Sequence, residues 1–178
     1  MLSINRLGNL GRLANQMFQY ASLKGIATNR GYSFSIPPKD AFGAQDELVS
    51  QSDVTIYDVF KNIENNHIGF QNNQTLWERM HHFDEELFVN CPDNVDLVGY
   101  FQTEKYFKHI EDDIRKDFSF SKDITETCKE LYNSIIGDKE SISLHIRRGD
   151  YTVNPNHPTQ PIEYYEKALS KFDAKIPV

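Results

Sequence analysis

Leu2-Ser3-Ile4, a polar segment carrying Gly8 and Gly11, the apolar positions Met17, Tyr20, Leu23 and Ala27, and then Tyr32-Ser33-Phe34-Ser35-Ile36-Pro37-Pro38 open a chain of 178 residues. Leu2 and Ile4 alternate with polar neighbours before the glycines, the pattern of a short strand running into a loop. From Asn15 to Asn29 the apolar positions share one broad helical face, and Gly31 stands where a left-handed C-terminal cap is expected. The period then falls to two over Tyr32, Phe34 and Ile36 until the proline pair stops the run. The resulting β-loop-α-β unit implies a parallel strand pair with a right-handed crossover, placing Arg12 and Asn15 at the C-terminal edge of the sheet. The fold class expected is therefore α/β.

Farther along, Lys39 to Asn94 holds asparagines at 62, 65, 66, 72 and 73, with no sustained period, and is read as irregular or short elements. His81-His82 make a poor metal site, because adjacent residues on a helix or strand do not share a face. Val95-Asp96-Leu97-Val98-Gly99-Tyr100-Phe101 reads as a buried strand, after which Thr103 can cap a helix with the stripe Phe107, Ile110, Ile114 and Phe118. Ile124, Cys128, Leu131 and Ile135 repeat at helical spacing and place Cys128 on a core face. Gly137-Asp138-Lys139 then marks a boundary, dividing the chain into domains 1–138 and 139–178. Ile142, Leu144 and Ile146 alternate with polar residues as a strand that delivers Arg147-Arg148-Gly149-Asp150 to its C-terminal end, where ligands of parallel sheets bind. Pro161 suits the first turn of a helix through Ile162, Tyr165 and Leu169, and Ile176-Pro177-Val178 would begin another strand.

Composition narrows the function. Hydrophobic residues at 39% and aromatics at 12% supply a core and exclude a disordered chain. A net charge of −7 argues against a nucleic-acid partner, so any anion must meet a local cluster of cations. No apolar run reaches the ~18 residues of a membrane span, and the first residues lack the apolar core of a signal peptide. A cytoplasm is the expected compartment, with peripheral association at a membrane left open. Cys91 and Cys128 have no partner at zinc spacing and are expected to be reduced packing residues.

Two adjacent arginines followed by a glycine suit a diphosphate, since guanidinium forks bind phosphate oxygens bidentately and stay charged at any working pH. The alternative is one arginine in an ion pair with Asp150 and the other solvated. Arg148-Gly149-Asp150 also spells a cell-adhesion tripeptide, a reading the lack of a secretory signal disfavours. The loop Gly11 to Gln16 enters a helix N-terminus, where free N–H groups favour an anion, yet it matches neither G-x-G-x-x-G nor the Walker pattern. Asn15 can equally be a helix cap.

Three segments together resemble the galactoside α-1,2-fucosyltransferase family: Gly11-Arg12-Leu13-Ala14-Asn15-Gln16-Met17-Phe18-Gln19-Tyr20-Ala21, Gly99-Tyr100-Phe101-Gln102-Thr103-Glu104-Lys105-Tyr106-Phe107 and His145-Ile146-Arg147-Arg148-Gly149-Asp150-Tyr151. Their order and spacing fit, with Ala14 standing where glycine is common. The resemblance implies a GT-B glycosyltransferase: a Rossmann-like parallel sheet in the N-terminal, acceptor-side domain, followed here by the first β-α unit of an incomplete GDP-fucose-binding domain. It implies transfer of L-fucose from GDP-fucose to O2 of a galactose-terminated glycan with inversion, without a metal or other cofactor. The sequence shows no Asp-x-Asp pair and no His/Cys cluster. Carried over by motif, Arg147 and Arg148 meet the GDP phosphates, His145 lies beside them, Asp150 orients an arginine, and Arg12, Asn15 and Gln16 face the donor cleft from the other domain. Family members run well past this length, so a second chain supplying the remaining half is an expected partner. A non-catalytic nucleotide- or glycan-binding remnant, or an unrelated adhesion domain, are the competing functions.

Overall fold

The computed structural model describes residues 1–41, 54–64 and 74–172, which group into two compact units, Met1–Ser121 and Lys122–Val178. The first unit is α/β. Its four strands, β1 (Leu2–Ser3), β2 (Phe34–Ser35), β3 (Thr75–Trp77) and β4 (Val95–Val98), form one parallel sheet in the order β2-β1-β4-β3. Leu2 registers with Phe34 on one side and Val95 on the other, so the β-loop-α-β reading of the first 38 residues holds. The arrangement is that of a Rossmann-like parallel sheet.

Because side chains alternate along a strand and registered partners share a face, Leu2, Phe34, Val95, Leu97 and Leu76 lie on one side. That side joins the core with Leu23, Ile26 and Ala27 of α1 (Leu13–Arg30). Gly31, at φ +68°, ends α1 in the left-handed conformation expected of it. Ser3, Ser35, Asp96 and Thr75 lie on the other side, where Asp96 accepts hydrogen bonds from Ser3 Oγ (3.0 Å) and from the Asn5 N–H (2.8 Å). Burial raises the Asp96 pKa, and those two bonds, with the nearby Arg6 charge, hold it back.

Between β2 and β4 the expected short elements are α2 (Ile56–Val59), β3 and α3 (Glu85–Asn90). Thr55 and Asp58 close a capping box on α2. The Asp84 carboxylate caps α3 through the Leu87 N–H at 3.0 Å while Arg79 clamps it at 2.8 Å through each of two nitrogens.

The single helix expected from Thr103 is instead three pieces, a correction. Thr103 does cap, but it caps a 3-10 turn, Glu104–Tyr106, followed by a second turn, Lys108–Ile110, and by α4 (Glu111–Asp117). Phe107 (φ −131°, ψ 5°) and Ile110 (φ −123°, ψ 32°) are the breaks. They let Tyr106 turn fully into the core, where its hydroxyl accepts the Asp84 N–H at 2.9 Å. They also bring the Tyr106–Phe107 backbone against α1 at Gly25, where a Cβ would stand 2.1 Å from the Tyr106 carbonyl oxygen.

In the second unit α5 (Lys122–Ile135) forms as expected, but its apolar face is not core. Leu131 and Ile135 are exposed and so is Cys128, because helical spacing fixes which residues share a face and not what that face meets. The sequence division at 138/139 assigns α5 to the first domain, whereas the compact units divide at Ser121/Lys122. Ile142 to Ile146 is not a strand, a second correction: no strand is present among the described residues of this unit, and a segment without a ladder partner cannot pair its backbone groups. α6 (Ile162–Leu169) follows Pro161 and buries Tyr165. The expected strand at 176–178 falls outside the described residues.

Buried Cys91 has its thiol pKa pushed up to about 11 by desolvation, so little nucleophilic thiolate forms near neutral pH. A maleimide added to the native protein is therefore expected to label Cys128 and spare Cys91. Peptide mapping checks this; equal labelling rates would contradict it.

Candidate functional site

In a parallel sheet the carboxyl ends of the strands form the usual ligand edge, and the strand order reverses between β1 and β4, the place in such sheets where ligands bind. Among the described residues, the segments after β1, β3 and β4 build that edge in the first unit. Gly11, at φ +86°, lets the chain turn into α1; a Cβ at Gly11 would come 2.0 Å from Asn15 Nδ2. Arg12 is the α1 N-cap residue, exposed and without a side-chain cap bond. Asn15 is therefore not the cap; its Oδ1 accepts from Gln102 Nε2, tying the helix start to the segment after β4. Gln19, buried on the next turn, donates through Nε2 to the Leu10 carbonyl (3.1 Å) and the Gly99 carbonyl (3.0 Å), stitching the same two segments together.

Gln16 is placed differently. Fully buried, it accepts the Ile56 N–H at 3.0 Å through Oε1 and donates to the Val54 carbonyl at 3.4 Å through Nε2. Both ends of its carboxamide hold the start of α2, so in this structure it supports the loop rather than lining the surface.

Sequence reasoning missed Glu78. Its carboxylate accepts the Tyr100 N–H (2.7 Å) and the Phe101 N–H (3.1 Å), fixing the turn after β4, in which Phe101 adopts φ +50°. Gly99 is required there, since a Cβ would sit 2.4 Å from Glu78 Cβ. Glu78 follows β3 in the poorly patterned stretch, and no local signal marks it. Asn9, in the first loop, is buried with neither amide atom hydrogen-bonded.

In the second unit His145, Arg147 and Arg148 are exposed on the irregular segment that leads into a 3-10 turn, Gly149–Thr152. The Arg147 guanidinium carbon stands 4.4 Å from the centroid of the Tyr151 ring, which stacks on His157 at 5.0 Å and 18°. Arginine, tyrosine and histidine thus form one contiguous cluster, with Tyr151 in contact with both partners. Gly149, at φ +54°, supplies the left-handed residue needed to start the turn. The Asp150 side chain lies outside the described residues, and with it the role of orienting an arginine. Chemically, the segment offers two permanent cations and an imidazole to an anion.

Comparison with known proteins identifies the family. The profile of glycosyl transferase family 11 matches residues 3–178. The chain belongs to that family. As a family 11 chain it is 28% identical over 186 aligned residues to galactoside alpha-(1,2)-fucosyltransferase 2 of Sus scrofa, covering 98% of this chain and 50% of that protein. It is 38% identical to the O-antigen biosynthesis glycosyltransferase WbnK of Escherichia coli over 95 residues, 47% of this chain and 32% of that one. An alpha-1,2-colitosyltransferase of Escherichia coli is 24% identical over 81% of this chain and 54% of its own. The family 11 chain thus spans about half the length, or less, of these curated relatives. No solved structure matches it significantly. Among the described residues no three His, Cys, Asp or Glu side chains gather as metal ligands, and no helix is long and apolar enough to cross a membrane.

Proposed function

We propose that this glycosyltransferase moves L-fucose from GDP-fucose to O2 of a terminal galactose, with inversion and without a metal ion. The observation that carries the reading is the alignment of 98% of the chain with a galactoside alpha-(1,2)-fucosyltransferase within a family matched from residue 3 to residue 178. In this reading Arg147 and Arg148 bind the diphosphate, with His145 beside them. Asp150 then orients one of the two guanidinium groups. Arg12 and Asn15, at the edge of the parallel sheet, belong to the donor-binding set, and Gln16 holds their loop in place.

The step is a single displacement: the acceptor O2 attacks the anomeric carbon as the bond to the GDP oxygen breaks, and the acceptor proton leaves to a base. Charge develops on the departing diphosphate. Preorganised guanidinium groups stabilise it without reorganising, a contribution often worth several kcal/mol per donor. Two arginines at that position take the part that a bound cation plays in other transferases.

Protein extended to the full family length, incubated with GDP-fucose, lactose and excess chelator, is expected to yield a fucosylated lactose. Proton NMR of the product should show an α-anomer on O2 of galactose. A β-anomer, another linkage, or activity lost to chelator and restored by manganese would contradict the proposal.

A further inference from the structure

β3 lies at the edge of the sheet, and Trp77, its last residue, is 58% exposed. It is the only tryptophan in the chain. Trp77 registers with Val98, the last residue of β4, so the indole sits at the carboxyl end of the sheet, the end where ligands of parallel sheets bind. The Arg6 guanidinium carbon lies 5.5 Å from the indole centroid. Glu78, the next residue, clamps the backbone of Tyr100, whose side chain is 40% exposed. Two exposed aromatic side chains, a guanidinium and a carboxylate therefore gather around the ends of β3 and β4, held by the strand ladder, the Glu78 clamp and close packing at Gly99.

That combination is selective chemistry. A hexopyranose has faces rich in C–H bonds and a rim of hydroxyls, so it matches an aromatic plane bordered by hydrogen-bonding groups. Galactose fits better than glucose: its axial O4 leaves the hydrogens on C3, C4 and C5 together on one face, a continuous apolar patch that equatorial O4 breaks up. An indole is the largest such plane a protein can offer, and here, with Arg6 over the ring, the residue is still 58% open to solvent although burial would be favourable.

We propose that Trp77, flanked by Arg6 and Tyr100, is the platform on which the terminal galactose of the acceptor stacks. The assignment rests on the galactoside acceptor of the proposed function and gives it a place in the first unit. Arg6 and Tyr100 supply hydrogen bonds to the hydroxyl rim, and Trp77 supplies the apolar contact that distinguishes galactose.

The single tryptophan makes binding observable without catalysis. Titrating the full chain with lactose should change the indole emission saturably, and cellobiose, which ends in glucose, should need at least tenfold higher concentration. By calorimetry Trp77→Ala should weaken lactose binding at least tenfold and Trp77→Phe should restore most of it, with unfolding midpoints reported for both. In the transfer assay Trp77→Ala should raise KM for lactose at least tenfold and leave KM for GDP-fucose unchanged. Unchanged emission with lactose, in protein that nevertheless fucosylates lactose, would overturn the platform and spare the proposed function. Lactose-selective emission changes without any fucosyl transfer would support the platform and overturn that function instead. Equal responses to lactose and cellobiose would overturn the assignment to galactose.

Discussion

Replacing Arg147 or Arg148 with alanine is expected to lower affinity for GDP roughly ten- to hundredfold in protein extended to the full family length, since each removes a charge-assisted contact worth about 1.5–3 kcal/mol. The two positions should then respond differently to lysine. The Arg147 guanidinium carbon sits over the Tyr151 ring at 4.4 Å, and Tyr151 stacks on His157, so the aromatic pair helps to position the guanidinium. An ammonium keeps the charge and loses both the stacking plane and the fork. Arg147→Lys should therefore be nearly as impaired as Arg147→Ala, while Arg148→Lys retains part of the affinity. Tyr151→Leu, which removes the plane and leaves both arginines, should weaken GDP binding by a smaller factor. Titration calorimetry with GDP checks all of these; wild-type affinity in both alanine variants would remove the donor-site assignment.

Lys24→Met is expected to destabilise the protein by about 3–5 kcal/mol, the usual cost of leaving a buried charge without its partner. Lys24 Nζ lies 2.6 Å from Asp117 Oδ2 and 2.6 Å from Glu64 Oε1, and the Lys24 and Asp117 side chains are almost entirely buried. Desolvation by itself would lower the lysine pKa, but the bonds to the two carboxylates outweigh it and the net shift is upward. The Tyr20 hydroxyl also donates to Asp117, at 2.9 Å, and accepts the Glu64 N–H at 3.1 Å. This network joins α1 to the end of α4. Domains hold together by only about 5–15 kcal/mol, so its loss takes a large share. The pair replacement Lys24→Met with Asp117→Leu should recover much of the deficit, because the carboxylate that remains, Glu64, is 44% exposed and is hydrated without its partner. Urea unfolding with an unchanged slope measures both; a single replacement costing under about 1 kcal/mol would show the pair to be no more than a surface contact.

How far the sequence carried depended on range. The β-loop-α-β opening was legible because a helical period gives way to a period of two within a few residues, and Gly31 and the proline pair punctuate it. β4 was legible as a short run, Val95-Asp96-Leu97-Val98, apolar at all positions but Asp96. β3 was not: three residues, Thr75-Leu76-Trp77, have no period to detect, and they become a strand through register with Asp96, Leu97 and Val98. The same limit explains both corrections beyond α5. Ile142 to Ile146 alternates without a ladder to join, and the helix expected from Thr103 breaks where Tyr106 turns into the core. At the candidate site, Arg12 and Asn15 were placed at the sheet edge by local pattern alone. Trp77, Glu78 and Gln102 reach it only through pairing between segments that are far apart in the chain.

The position of β1 between β2 and β4 has a consequence during synthesis. Ser3 meets Asp96 only after the intervening chain has been made, the two residues being 93 apart. At ~5–20 residues per second, the first strand waits roughly 5–20 s on the ribosome with one edge open. Throughout that interval the nascent β1-α1-β2 unit shows water the apolar surface of Leu2 and Phe34 that Val95 and Leu97 will later help cover. Long-range parallel pairing of this kind also slows folding, because the loop must close before any contact rewards it. The most vulnerable moment for this polypeptide therefore comes before β4 is translated, when chaperone capture competes with self-association.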